Sequence, residues 1–212
     1  MHPSSLQMMR EILCLLPKDK SLRVLDVGSR ICDKAHGCYR DVLPSTRWEY
    51  IGMDVESGDN VDCVLEDPKH WPFPDASFDA VISGQCFEHV EDLHAPFREM
   101  GRVLRYGGLA CVIAPWCWSI HRYPRDCWRI LPDGMQFLLE KHAGLANVRA
   151  FTIDVPLRLV AAQGNSLVGD YFIRKDGCQG EMRLGDFLLD SGVVLGDIVV
   201  QGDCVGLGVK RT

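Results

Sequence analysis

Apolar runs that end in a small or acidic residue punctuate this chain. Val24, Leu25 and Val27, broken only by Asp26 and closed by Gly28, predict a buried strand over 23–28 that runs into a tight turn. Trp48 to Val55 repeats the pattern, with Asp54 near its end. Similar runs predict strands over 61–66, 78–83, 109–114, 147–153 and 203–209, with Pro115 ending the one over 109–114, the fifth strand of the chain. Between the strands the period lengthens. Leu6, Met9, Leu13 and Leu16 form one stripe of a helix over 4–16, with Ser4 and Gln7 spaced as a capping box and Pro17 as the stop. Leu93, Phe97, Met100 and Leu104 mark a second helix, with Pro96 in its first turn and Gly107-Gly108 as its close. A third spans 132–143, between Pro132 and Gly144. Strands alternating with helices in this way predict an α/β fold built on a doubly wound, seven-stranded, mostly parallel sheet. Residues 156–202 are rich in glycine and lack a helical period, so they read as an insertion before the last strand: a lid, a hairpin or an oligomer contact.

A carboxylate at the end of a buried strand is costly unless something pairs with it. Asp26 and Asp54 are two such acids on neighbouring strand ends, an arrangement that suits a nucleoside cofactor bound across a doubly wound sheet. A nicotinamide cofactor is disfavoured, because Arg30 and Asp33 stand where Gly-x-Gly-x-x-Gly needs its later glycines. Composition narrows the partner. The chain is 47% hydrophobic with a net charge of −6, enough for one core and contrary to the basic face of a nucleic-acid binder. No run of 18 apolar residues is present, and Met1-His2-Pro3-Ser4-Ser5 lacks the charged and apolar regions of a signal peptide, so a cytoplasmic protein without membrane partners is expected. The ten cysteines contain no Cys-x-x-Cys pair, and Cys63, Cys86 and Cys111 sit in apolar runs as small hydrophobes. Cys32, His36 and Cys38 offer three metal ligands without a fourth at a usual spacing, so no metal is assigned.

Five blocks carry a resemblance. They are Val24-Leu25-Asp26-Val27-Gly28-Ser29, Ile51-Gly52-Met53-Asp54, Trp71 to Val81, Phe87-Glu88-His89-Val90, and Arg102 to Leu109. In this order and spacing, over about residues 22–145, the chain resembles the Rossmann-like (class I) S-adenosylmethionine-dependent methyltransferases, of the type 11 kind. The resemblance implies one domain over 1–212, with a cofactor half over 1–115 and a substrate loop over 116–131. It implies S-adenosyl-L-methionine as cofactor, held by Asp26, Gly28, Ser29, Arg30, Asp54, Val55, Glu66, Asp67, Ser83, Gly84 and Gln85. Asp54 would accept hydrogen bonds from both ribose hydroxyls, since an ionised carboxylate is acceptor-only and matches a vicinal diol. Asp67, or else Glu66, would take the adenine amino group. Arg30 replaces a glycine usual in the family. Its side chain would either keep the cofactor's methionine end off the backbone or pair with its carboxylate. The leading helix would lie near the cofactor or merely cover the sheet.

The loop after the fifth strand is expected to choose the substrate. Trp116, Trp118, Arg122, Tyr123, Arg125, Trp128 and Arg129 crowd into 14 residues with His121 and Asp126. The loop resembles that of methyltransferases from sugar and natural-product pathways. Arginines suit a carboxylate or phosphate, and tryptophans suit the apolar face of a ring. Methyl transfer to a hydroxyl requires alignment and removal of a proton. His121 is the candidate base with Asp126 as its orienting partner, and His89 is a further candidate. An Arg125–Asp126 ion pair that only ties down the loop is the competing reading. The expected activity is methylation of a small-molecule hydroxyl, with sugars and glycosylated metabolites as candidate acceptors. N-methylation, which needs no strong base, and a non-catalytic partner subunit are the alternatives. Homo-oligomerisation is left open.

Overall fold

The computed structural model describes residues 3–32, 37–154, 158–161, 166–167, 195–199 and 202–211. Seven strands form one sheet: β1 (Arg23–Val27), β2 (Glu49–Asp54), β3 (Cys63–Val64), β4 (Phe78–Gly84), β5 (Leu104–Cys117), β6 (Leu145–Asp154) and β10 (Gly202–Lys210). Their order is β3-β2-β1-β4-β5-β10-β6, and β10 runs antiparallel to both of its neighbours. The remaining strands, β7 (Arg158–Ala161), β8 (Ser166–Leu167) and β9 (Leu195–Val199), make a small antiparallel sheet with β7 in the middle. They belong to the insertion expected over 156–202; most of it, and with it the choice between lid, hairpin and oligomer contact, lies outside the described residues.

Both faces of the large sheet are buried, which is why its central strands are nearly all apolar. One face packs Leu25, Val27, Met53 and Val81 under α2 (His94–Val103) and α3 (Pro132–Phe137), which continues as a π-helical turn, Leu138–His142. The other packs Val24, Tyr50, Ile82 and Ile113 under α1 (Pro3–Leu13) and the 3-10 turn Tyr39–Val42. Alternate residues of β1 therefore serve opposite faces.

Some elements depart from expectation. The third strand shrinks from 61–66 to two residues, Cys63–Val64. Gly107-Gly108 does not close α2: β5 begins at Leu104, directly after the helix, and Gly107 turns inside the strand at φ 78°. Helix α1 stops at Leu13, and Cys14, Leu15 and Leu16 close it with turn hydrogen bonds before Pro17. Gln7 donates to Glu11 Oε1 (3.1 Å) along the helix rather than capping its start.

The register brings the expected strand ends together. Val27 of β1 stands opposite Met53 of β2 and Ser83 of β4. Gly28, Asp54 and Gly84 thus emerge side by side at the carboxyl edge, where ligands of open α/β sheets bind. The long β5 carries Trp116 and Cys117 to the same edge, and β10 starts there with Gly202 and Asp203.

Candidate functional site

At the β1–β2 side the backbone and its carboxylates satisfy one another. Asp54 Oδ2 accepts the Arg30 N–H (3.1 Å), and its Oδ1 accepts that of Glu56 (3.2 Å). Asp54 therefore fixes the turn after β1 and its own turn together. Arg30 does not point into the crevice. Its guanidinium pairs with Glu56 (2.9 Å) and its stem lies over Gly58, so neither role expected for it at the methionine end is seen. Ser29 is buried, its hydroxyl bound to the Asn60 carbonyl (3.0 Å). Asp67 accepts the His70 ring (2.8 Å) and the Lys69 N–H (2.9 Å), which hold its carboxyl below the usual range as the cap of a turn. Glu66 and Val55 are exposed, Val55 by 55%.

Beneath this edge, Asp26 is buried. The Tyr50 hydroxyl donates to its Oδ2, and Asn60 in turn donates to Tyr50 (2.9 Å). Oδ1 has no protein partner. Burial pushes the carboxyl up to about 7, opposed by the Tyr50 hydrogen bond.

The two edge glycines are close-approach positions, but for the protein's own side chains. A Cβ on Gly84 would lie 1.8 Å from Tyr39 Oη, and one on Gly28 2.4 Å from Cys86 Cβ and Sγ. Tyr39 is fully buried and shares a hydrogen bond with Ser5 of α1 (2.6 Å). The leading helix, which covers one face of the sheet, is thereby also tied to the end of β4. Ser83 donates to the Val27 carbonyl (2.8 Å), locking β4 to β1. Gln85, in left-handed backbone at φ 55°, donates to Asp203 Oδ1 (2.8 Å) and is engaged there.

An adenosyl group could meet the outer part of this edge, where a carboxylate ends β2 and exposed residues follow it, above the buried Asp26. Asp54, Asp26, Val55 and Glu66 are the residues there that could hold it.

The substrate loop folds back on the 3-10 turn Phe87–His89. Cys127 and Trp128 both donate backbone N–H groups to the Glu88 carbonyl (2.7 and 3.2 Å), the Trp128 indole donates to the Val90 carbonyl (2.7 Å), and Ile130 donates to that of Pro115 (3.1 Å). Within the loop, Arg129 grips both oxygens of Asp126 (2.6 and 2.7 Å) and reaches the Trp118 and Ser119 carbonyls. Asp126 Oδ2 also accepts the His121 N–H (2.8 Å). The expected Arg125–Asp126 pair is not formed: Arg125 pairs with Glu91, and Asp126, held well below the usual carboxylate range by Arg129, takes the arginine three residues on. Asp126 orients His121 chiefly through its backbone, for the ring Nδ1 lies closer to the Ser119 carbonyl (3.1 Å) than to Asp126 (3.6 Å).

His89 and His121 meet edge to face, ring centroids 5.0 Å apart. The His89 Nδ1 contacts the Arg125 carbonyl at 2.5 Å. Each ring therefore has Nδ1 against a carbonyl, which calls for the proton there and leaves Nε2 as a lone-pair acceptor. Both Nε2 atoms face Glu88 Oε1, at 3.7 Å from His89 and 4.0 Å from His121. Glu88 is 0% exposed, and among the described residues neither carboxylate oxygen has a hydrogen-bond partner on another residue. Burial pushes its carboxyl up to about 8 and lowers His89. Glu88 was absent from the sequence-derived candidates. Its one sequence signal is its place beside His89 in the Phe87-Glu88-His89-Val90 block. Asp203, buried beside Gln85 and pushed up by that burial, was absent too. Around the cluster, Arg122 is exposed, Tyr123 is 56% exposed and Trp128 40%, while Trp116 is half-buried with its indole N–H unpartnered.

Comparison with known proteins bears on the fold and on the domain. A methyltransferase domain model matches residues 37–112. The chain is 29% identical over 144 residues to a 2-methyl-6-phytyl-1,4-hydroquinone methyltransferase of rice, Oryza sativa subsp. japonica, covering 61% of this chain and 40% of that one. It spans less than half the length of the curated relatives it matches. In fold it is similar to the YcgJ protein of Bacillus subtilis, with a TM-score of 0.63, 17% identity and full coverage of both chains. It is also similar to phosphoethanolamine N-methyltransferase 2 of Haemonchus contortus, solved with phosphomonomethylethanolamine and S-adenosylhomocysteine. There the TM-score is 0.60 and identity 14%, over 100% of this chain and 54% of that one. With its strand order and its antiparallel β10, the chain has the Rossmann-like fold of the class I S-adenosylmethionine-dependent methyltransferases, and its residues 37–112 are similar to a methyltransferase domain.

Proposed function

We propose that this protein transfers the methyl group of S-adenosylmethionine to a hydroxyl oxygen of a small molecule. The reading rests on the convergence of His89, His121 and Glu88 at the carboxyl edge of the sheet, beside the strand ends that would hold the cofactor. The cofactor supplies the methyl group and its own leaving group. The residues proposed to hold it are Asp54 at the ribose, Asp26 through its free oxygen, and Gly28, Ser29, Val55, Glu66 and Ser83 around them. Gly84 and Gln85 shape the end of β4 through Tyr39 and Asp203, and Asp67 and Arg30 shape the neighbouring turns.

The chain's own work is to align the acceptor and to take its proton. Alignment alone contributes up to about 7–11 kcal/mol. A base adds about 10²–10⁴-fold. The Nε2 atoms of His121 and His89 have the free lone pair, and Asp126 with Arg129 keeps the His121 backbone in place. Exposed Tyr123, Trp128 and Arg122 offer a ring face and a cation, which suits a sugar or another polyhydroxylated acceptor. A second reading is methylation of a hydroquinone, the acceptor in the name of the rice relative, and N-methylation is the chemistry in the name of the Haemonchus protein.

Calorimetry with S-adenosylmethionine and S-adenosylhomocysteine is expected to give saturable one-to-one binding; binding of neither rejects the reading. The His121→Ala variant then separates the acceptors. A loss of about 10²-fold or more in turnover at unchanged cofactor affinity supports a hydroxyl, and an unchanged rate supports an amine.

A further inference from the structure

We infer that Glu88, His89 and His121 form a binding site for one divalent first-row transition-metal ion, which receives the acceptor hydroxyl. The inference deepens the methyltransferase reading and rests on it for the role of the ion, though not for its binding. Three observations carry it. First, the three ligand atoms lie within 4.8 Å of one another, with Glu88 Oε1 central to both imidazoles. Ligands about 2.1 Å from a shared ion stand about 3.4 Å apart in a tetrahedron, so the two Glu88–histidine distances need to close by only about 0.3–0.6 Å. Second, both imidazoles are set for ligation through Nε2: their Nδ1 atoms face the Arg125 and Ser119 carbonyls, the outer contact that metal-bound histidines keep. Third, Glu88 is fully buried, and among the described residues no other residue hydrogen-bonds its two carboxylate oxygens. A buried acid without a partner is costly, and a cation between two neutral imidazoles removes that cost. Two nitrogens and one carboxylate select zinc, iron, cobalt or manganese over magnesium or calcium, and leave coordination positions open.

The ion changes how the acceptor loses its proton. A hydroxyl bound at an open position releases its proton to solvent as the oxygen–metal bond forms. The resulting oxyanion attacks the methyl carbon. The oxygen–carbon bond forms as the carbon–sulfur bond breaks, and the sulfonium leaves as a neutral thioether. His121 and His89 then hold the ion rather than the proton.

The test uses the full chain, stripped with a chelator and titrated with Co²⁺. The expected result is saturation at one equivalent with visible d–d bands of nitrogen and oxygen ligation, bleached by Zn²⁺. Glu88→Gln and His121→Ala should each weaken uptake by 100-fold or more, with folding checked by circular dichroism. Since His121 is on a partly exposed loop, its variant keeps the test valid where the Glu88 variant does not fold. His142→Ala is the control, because His94 and His142 stack at the surface, 4.2 Å between rings. Three results overturn the site: no one-to-one uptake, thiolate charge-transfer bands, or uptake lost in His142→Ala but kept in His121→Ala. S-adenosylhomocysteine calorimetry on the same samples keeps the two claims apart. Nucleoside binding without metal uptake overturns the ion alone, and metal uptake without nucleoside binding overturns methyl transfer alone.

Discussion

The two banks of the carboxyl edge treat their acids in opposite ways. On the β1–β2 bank, the acids after the strands are already occupied: Asp54 by two backbone N–H groups, Asp67 by His70 and Lys69, Glu56 by Arg30. On the β4–β5 bank, Glu88 is sealed in the interior with both oxygens idle, next to two imidazoles with free lone pairs. Occupied acids make a frame that is rigid before any ligand arrives. An idle buried acid marks where the ligand-free protein is under electrostatic tension and where an arriving group gains most. Under the proposed function, the first bank is the cofactor-holding side and the second the reacting side.

Stability against pH sharpens the contrast most. Asp26 has a folded-state carboxyl near 7 against an ordinary value of 3.8, with Tyr50 and Arg40 lowering it and burial and Asp54 raising it. The folded chain keeps a proton that the unfolded chain releases. The contribution is thus complete below pH 4 and is lost as pH rises through 7, by up to roughly 4 kcal/mol. Denaturant melts from pH 4 to 8 should show this fall together with one of like size from Glu88, whose carboxyl burial pushes up to about 8, and Asp26→Asn should reduce the slope by roughly half; an equal slope in the variant removes Asp26 as a source. Next, Asp126→Ala leaves Arg129 unpaired and frees the His121 N–H, and is expected to cost about 3 kcal/mol and to open the 116–131 loop to protease. Unchanged melting and cleavage would mean the loop stands without this pair. Gly84→Ala drives a methyl group into Tyr39 and is expected to cost about 1–3 kcal/mol in chemical denaturation. Smallest is Asp54→Ala, with cofactor affinity reduced about tenfold, or about 1.4 kcal/mol, in calorimetry. An unchanged dissociation constant would make Asp54 a turn-builder only.

The sequence shows strands best where they are buried on both faces, because a run such as Val24 to Val27 admits few other readings. It fails where the signal is local chemistry. Gly107-Gly108 has the composition of a helix end, yet α2 passes straight into β5 and the glycines bend a strand. Arg125 and Asp126 are chain neighbours and invite pairing, but side chains i and i+3 meet more readily here, and Arg129 takes the acid. His89 and His121 are visible as chemistry-bearing residues. Their meeting is not, because 32 residues and the whole of α2 and β5 separate them. Glu88 is hidden for another reason: a single acid in a polar-looking turn reads as surface charge until the loop that buries it is in place.

That loop hangs from the same residue that supplies the buried acid, since the Glu88 carbonyl receives the N–H groups of Cys127 and Trp128. The loop proposed to choose the acceptor and the buried acid therefore share one peptide unit. A transplanted loop of different length would break these two bonds, whereas side chains exchanged on the same loop backbone would keep them.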